Sequence, residues 1–251
     1  MITQEAHQAF IDDVLKRYPE EACGFIIGDN YHPCKNIAAE PNLHFEIDGD
    51  QRFELEQDYG SVNAVLHSHP YKLEDSQHFE NNKYNPTWPS LGDQLGYLAD
   101  DVDWGIVASD GEGVSQITWL TSEIQPIESR KFSWFTADCY ALVRDWQTIN
   151  RGITLPNFTR EYEFWNKGQN IIEEGIATID ILERIDTDHA EIGDIAVFDT
   201  FGKGIVNHLG VVTGSNEMTH QWLDRFAEVA RWDHWRKHCK YVVRIRTQNA
   251  S

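Results

Sequence analysis

The chain has 251 residues, 41% of them apolar and 12% aromatic, which is enough for one large core or two of ordinary size and excludes a disordered chain. Its formal charge of −20 is uneven: residues 1–127 hold 6 Lys+Arg against 23 Asp+Glu, and residues 128–251 hold 15 against 18. So acidic a first half excludes nucleic acid and anionic membranes as its partners, because phosphate contacts need clustered Lys and Arg.

No apolar run approaches the roughly 20 residues that span a bilayer. The opening Met1-Ile2-Thr3-Gln4-Glu5 has no basic stretch leading into an apolar one, so the expectation is synthesis in a cytoplasm without a signal peptide. In such a chain Cys23, Cys34, Cys139 and Cys239 read as free thiols rather than as a disulfide framework.

Taken in chain order, Ala6, Ala9, Phe10, Val14 and Leu15 recur at helical period over residues 5–18, and Pro19 stops that helix. Residues 22–28 predict a short buried strand ending in a turn. Phe53 and Leu55 alternate with acids and predict a strand, and residues 62–66 predict another. Ser90 caps a predicted helix running to Leu98. Residues 104–108 and 114–120 read as strands either side of the turn Asp110-Gly111-Glu112-Gly113.

The periodicity lapses over residues 121–131, where the charge balance also changes. This places a domain boundary near residue 127 and gives domains 1–127 and 128–251. Beyond it, Asp138 caps a predicted helix to Ile149, and residues 195–198, 209–213 and 241–245 predict strands. Residues 151–188 are polar and aromatic without one clear period. The fold class expected is α+β in two domains.

His67-Ser68-His69-Pro70 directly follows the strand predicted at 62–66. Alternation along a strand puts both imidazoles on one side, within reach of one ion. Zinc takes about four tetrahedral ligands and leaves one position open in a catalytic site. Asp93, one turn into the helix capped by Ser90, can supply the third ligand. A base must also take a proton from the attacking water, and Glu21, beside a strand expected to pair near the His-bearing one, is the candidate. A His-x-His pair alone is commonly structural, and Ser-x-x-Asp alone is a helix cap; their order with Glu21 is the informative part.

That order resembles the JAMM metallopeptidases of the JAB/MPN fold over about residues 1–120, a cytidine-deaminase-like sheet flanked by helices. Glu21-Ala22-Cys23-Gly24 is similar to the family's Glu-x-x-Gly, and Tyr18-Pro19-Glu20-Glu21-Ala22-Cys23-Gly24 to its bacterial and phage members. The resemblance implies that His67, His69 and Asp93 hold Zn²⁺, that Glu21 is the acid/base, and that Ser90 supports the water or the developing oxyanion. The family's interval between the second His and the Ser is usually about half the stretch 71–89 found here. The extra residues read as a flap or lid beside the metal, with His78 as a solvated loop residue rather than a further ligand.

In the second half, Cys139 stands just inside a predicted helix N-terminus, where free amides and the helix dipole favour a thiolate. A thiol nucleophile needs an imidazole partner, which needs an orienting group. His208 opens a predicted strand, and His220 follows the turn Gly214-Ser215-Asn216-Glu217, so an antiparallel hairpin brings the two together. Asp138-Cys139, then Ile192-Gly193-Asp194, then His208-Leu209-Gly210-Val211-Val212 and His220 resemble the NlpC-type, papain-like cell-wall peptidases over about residues 130–246. This implies Cys139 as nucleophile, His208 as base and His220 as orienter. Ala141 fits the family's small residue, whereas Tyr140 stands where Ser or Gly is usual, as in its phage branch. His234, His238 and Cys239, interleaved with Trp232 and Trp235, read as an amphipathic packing helix rather than a metal clip. Cys23 is expected to pack in the sheet, and Cys34 to lie in a turn without a partner.

A JAMM domain followed by an NlpC-type domain resembles the tail assembly proteins of lambda-type phages. The resemblance implies a tail-tip or tail-assembly peptidase with Zn²⁺ as cofactor, cleaving peptidoglycan peptide cross-links or a tail protein. Other tail-tip proteins would be its partners, and its site of action the virion tail tip after synthesis in the host cytoplasm. The alternative is an assembly or scaffolding factor that keeps the folds with one or both sites inactive.

Overall fold

The computed structural model describes residues 2–72, 85–128 and 130–246. The chain is α+β and divides into two compact units, Met1–Glu123 and Ile124–Ser251, each built around its own sheet.

The first unit opens with α1 (Gln4–Arg17), capped by Thr3, whose side chain accepts the Ala6 N–H. The helix lays Ala6, Phe10 and Val14 against Ala22, Ile26, Tyr31, Ala64, Leu66 and Val107. The sheet runs β2-β1-β3-β4-β5, with β1 (Cys23–Ile27), β2 (Asn30–Cys34), β3 (Val62–Pro70), β4 (Asp103–Ser109) and β5 (Thr118–Leu120). Among the described strands only β3 and β4 pair in parallel. A parallel pair requires a crossover, and this one includes α3 (Leu91–Ala99). The chain leaves β3 at the end that carries the histidines, and α3 is the next described helix.

Two expectations are corrected here. Phe53 and Leu55 lie not in a strand but in α2 (Gly49–Tyr59), which Asp48 caps by accepting the Asp50 N–H. Two apolar residues fix no period, and no residue of α2 is buried: Phe53 is 63% exposed. The strand expected over 114–120 shrinks to Thr118–Leu120, with Val114 making only an isolated bridge to Ser109. The Ser115 and Ser109 hydroxyls there bond the backbone of Ala108 and Gly113, competing with the sheet ladder. Cys34 also differs from expectation, ending β2 as a buried residue opposite Cys23.

The second unit packs α4 (Cys139–Arg151) on β8 of a wholly antiparallel sheet ordered β10-β9-β8-β7-β11-β6. Its strands are β6 (Leu182–Ile185), β7 (Ile195–Phe198), β8 (His208–Gly214), β9 (Glu217–Gln221), β10 (Ala227–Arg231) and β11 (Cys239–Ile245). Short helices α5 (Ile171–Ala177) and α6 (Trp232–Arg236) complete it. α4 buries Tyr140, Ala141, Leu142 and Val143 in its first turn and Gln147 one turn further on. The expectation of one helical face for His234, His238 and Cys239 fails. α6 is five residues long, and Cys239 is already paired opposite Phe198 in the sheet. No described helix is long and apolar enough to cross a membrane.

Gly96 of α3 is a point of close approach, since a Cβ there would lie 2.3 Å from the Trp104 indole. Alanine ordinarily stabilises a helix interior over glycine by about 1 kcal/mol. Here Gly96→Ala is expected instead to cost ~1–3 kcal/mol by overpacking. The measurement is urea unfolding, with a lower midpoint at unchanged slope expected; a raised midpoint would contradict the contact.

Candidate functional site

In the first unit, β3 carries His67 buried and His69 partly buried on either side of Ser68. Ser68 fixes β3 beside the segment entering β1: its Oγ accepts the Ala22 N–H at 2.9 Å and its N–H donates to the Ala22 carbonyl at 2.9 Å. This register brings the preceding residue, Glu21, to the two histidines. Glu21 is held further by its N–H to the Pro41 carbonyl (2.6 Å) and by Asn36 Nδ2 donating to its own carbonyl (3.1 Å).

Asp93 arrives from α3 through a reciprocal cap. Ser90 N–H donates to Asp93 Oδ2 at 2.7 Å, and Asp93 N–H donates to Ser90 Oγ at 3.2 Å. The carboxylate then faces both rings, with Oδ1 3.1 Å from His67 Nε2 and Oδ2 3.2 Å from His69 Nε2. The two Nε2 atoms are themselves 3.1 Å apart. Ligand bonds of about 2.0–2.1 Å in tetrahedral geometry place ligand atoms about 3.3 Å from one another. The two ring nitrogens, and each of them with its nearer carboxylate oxygen, therefore stand near the edge length of a zinc site. One oxygen or nitrogen from each of Glu21, His67 and His69 also fits within 4.8 Å.

The tautomer at His69 fits a metal as well. Its Nδ1 is 2.7 Å from the Pro86 carbonyl. A carbonyl only accepts, so Nδ1 carries the proton and Nε2 of the neutral ring presents its lone pair. His67 Nδ1 is buried and has no hydrogen-bond partner among the described residues. Pro86 was not foreseen in the sequence, because only the folded return of the chain brings its carbonyl to the ring. The rest of that return is anchored by Thr118 Oγ1 donating to Thr87 Oγ1 at 2.8 Å and by the buried Trp88. The flap expected over residues 73–79, with His78, lies outside the described residues.

Burial pushes the Glu21 carboxyl up to about 7, and the charge of Asp93 adds to it while His69 opposes it. Burial also works against the charge of Asp93, yet His67 and His69 hold its carboxyl well below the usual range. Glu21, His69, Ser90 and Asp93 are among the residues lining a cleft of about 720 Å³.

In the second unit Cys139 is the first residue of α4, capped by Asp138, whose Oδ1 accepts the Ala141 N–H at 2.9 Å. Asp138 is itself buried against Arg160, with Nε to Oδ2 at 2.6 Å and Nη2 to Oδ1 at 3.0 Å. β8 and β9 bring the two histidines together as expected of a hairpin: His208 Nε2 is 3.0 Å from His220 Nδ1. Trp222 and Trp235 stand against this pair, their ring centroids 4.8 Å from His208 and 4.6 Å from His220. His220 Nε2 lies 3.5 Å from the Glu228 carboxylate, without hydrogen-bond geometry. Glu228 and Arg160 were not foreseen, since only the β9–β10 register and the return of the chain at 160 place them.

The lowered thiol pKa expected at Cys139 is overturned. Burial pushes it up to about 12, and the neighbouring Asp138 charge acts the same way; the backbone amides of Leu209 and Tyr140 offset this only in part. Burial accounts for most of the difference, and the Asp138 carboxylate, which accepts the Ala141 N–H as the cap, adds a negative charge of its own. Burial likewise drives His208 well below its usual value, and His220 to about 4.

The family model described as prokaryotic homologs of the JAB domain matches residues 3–81, a span that includes Glu21, His67 and His69 and ends before Ser90 and Asp93. A second, described as a domain of unknown function (DUF6950), matches residues 117–237. The chain is 26% identical over 250 residues to tail tip assembly protein K of Escherichia phage N15, covering 97% of this chain and 95% of that one. It is 25% identical over 193 residues to tail tip assembly protein K of Escherichia phage lambda, covering 76% and 86%. Among solved structures, the NlpC/p60 domain of peptidoglycan hydrolase SagA aligns at 14% identity and a TM-score of 0.30, over 43% of this chain and 76% of that domain.

Two measurements follow from this geometry. Elemental analysis of the chain purified without chelator is expected to find about one Zn²⁺, lost in Asp93→Ala and in His67→Ala and kept in Glu21→Gln. Alkylation of Cys139, mapped by mass spectrometry, is expected to be slow at pH 6 and to climb steadily with pH. A fast, flat rate from pH 6 upward would instead reveal a preformed thiolate–imidazolium pair.

Proposed function

We propose that the protein is a phage tail-tip assembly factor that hydrolyses amide bonds at two sites, a zinc site in its first unit and a Cys139 site in its second. The observation that carries this reading is the convergence of His67 Nε2, His69 Nε2 and the Asp93 carboxylate within 3.1–3.2 Å, with Glu21 beside them. The tail-tip setting rests on the similarity to the two tail tip assembly proteins, which runs through both units.

His67, His69 and Asp93 are the residues that would hold the zinc. A bound Zn²⁺ supplies a Lewis acid for the scissile carbonyl and lowers the pKa of water. Glu21 takes a proton from the attacking water and returns it to the amine nitrogen as the C–N bond breaks. Ser90 lines the same cleft, and in this reading its hydroxyl supports the carbonyl oxygen as it gains charge.

In the second unit Cys139 Sγ attacks the amide carbonyl while His208 removes the thiol proton and delivers it to the leaving amine. The resulting thioester is cleaved by water, with His208 taking the water proton and returning it to sulfur. His220 holds the His208 ring, and the Cys139 N–H supports the oxyanion. With thiol and imidazole both neutral at rest, proton transfer accompanies attack instead of preceding it. That same raised thiol pKa favours a second reading, in which the second unit binds without cleaving.

The test is turnover of purified peptidoglycan and of tail proteins by the full chain and its variants. Glu21→Gln should lose the metal-dependent activity by roughly 10²–10⁴-fold, and Cys139→Ala should lose only the chelator-resistant activity. Loss of neither activity on these substitutions would leave the assembly-factor reading with both sites silent.

A further inference from the structure

The cleft that begins at the zinc site continues away from it over apolar surface. Phe45 stacks on the His67 ring at 4.4 Å and stands 5.7 Å from Trp104, so an aromatic wall starts at a ligand. Phe25 and Val65 extend that lining, and Leu43, 56% exposed, forms part of the rim. At about 720 Å³ the space falls in the range of ~300–1,000 Å³ found for sites that enclose most of a ligand.

Gly92 keeps the cleft open. It lies on α3 between Ser90 and Asp93, and a Cβ there would meet only Ser90 Oγ at 3.5 Å. Packing therefore does not require glycine at 92, unlike at 96, and glycine weakens a helix. The bare position leaves space beside the metal-binding carboxylate.

We propose that this cleft binds a protein segment carrying a large apolar side chain close to the scissile bond, which makes the zinc site's substrate a protein and not a peptidoglycan peptide. The inference rests on the zinc-hydrolase reading and narrows its substrate. Peptidoglycan stem peptides consist largely of alanine and residues bearing free carboxylates, so they bring no large apolar group to cover Phe45 and Trp104. Their carboxylates would also meet a strongly acidic half-chain, 6 Lys+Arg against 23 Asp+Glu in residues 1–127. The Arg52 guanidinium lining the cleft is already paired with Asp100 at 3.0 Å.

The experiment uses full-length, zinc-loaded Cys139→Ala protein, which leaves only the first site to be read. Peptides identical except for Phe, Leu, Ala or Glu flanking the cleaved amide are compared with cross-linked stem peptides. The Phe and Leu peptides should exceed the Ala peptide in kcat/KM by about 10- to 100-fold, as burial of one such side chain implies. Gly92→Leu, which fills the bare position, should keep zinc and abolish that preference, and Leu43→Asp should weaken it. Equal kcat/KM across the set, or preference for stem peptides, would overturn the inference and leave the hydrolase reading standing. If nothing is cleaved, fluorescent versions are titrated onto zinc-loaded Glu21→Gln/Cys139→Ala protein. Tighter binding of the Phe peptide by tenfold or more would then sustain the inference while the hydrolase reading falls, and equal binding would defeat the inference too.

Discussion

The Asp93 carboxylate is the group on which the first unit's candidate metal site depends. It is buried, and a buried charge persists only when it is paired and hydrogen-bonded. Ser90 N–H supplies one such bond, and the imidazoles of His67 and His69 face the carboxylate at 3.1 and 3.2 Å. The bond to Ser90 also sets the start of α3. Sheet order, helix cap and the candidate ligand geometry thus meet in one side chain. The parallel β3–β4 pair makes this meeting possible, since its crossover includes the helix that carries Asp93.

The second unit uses the same device to a different end. Asp138 also caps a helix and is also buried, but Arg160 satisfies it instead of a pair of imidazoles. The carboxylate then sits against the adjacent thiol and opposes its ionisation, along with burial. A helix N-terminus favours an anion only while its amides are free to do so. Here the Asp138 cap takes the Ala141 amide, and the Tyr140 and Leu209 amides offset burial of the thiol only in part.

Much of this was legible in the sequence where a local rule decides. Ser90 and Asp138 announced their helices as caps, and the alternation of His67 and His69 along a strand anticipated their shared side. The turn at 214–217 anticipated the approach of His208 to His220. What was not legible depends on neighbours far along the chain. Phe53 and Leu55 looked like a strand because two residues cannot distinguish periods, and the Asp48 cap outweighed them. The Cys139 thiol was misjudged because neither its burial nor the Asp138–Arg160 pair can be read locally. Pro86 and Glu228 reach the histidines only through the folded return of the chain and the β9–β10 register.

Two imidazoles and one carboxylate of the first unit are proposed to form a zinc site. Zinc X-ray absorption on the full wild-type chain tests it most directly, because scattering from sulfur and from imidazole is distinct. The expected spectrum has only nitrogen and oxygen donors at about 2.0–2.1 Å, with the multiple scattering of two imidazoles. A sulfur shell near 2.3 Å would contradict it, placing the metal on a cysteine instead of on His67, His69 and Asp93.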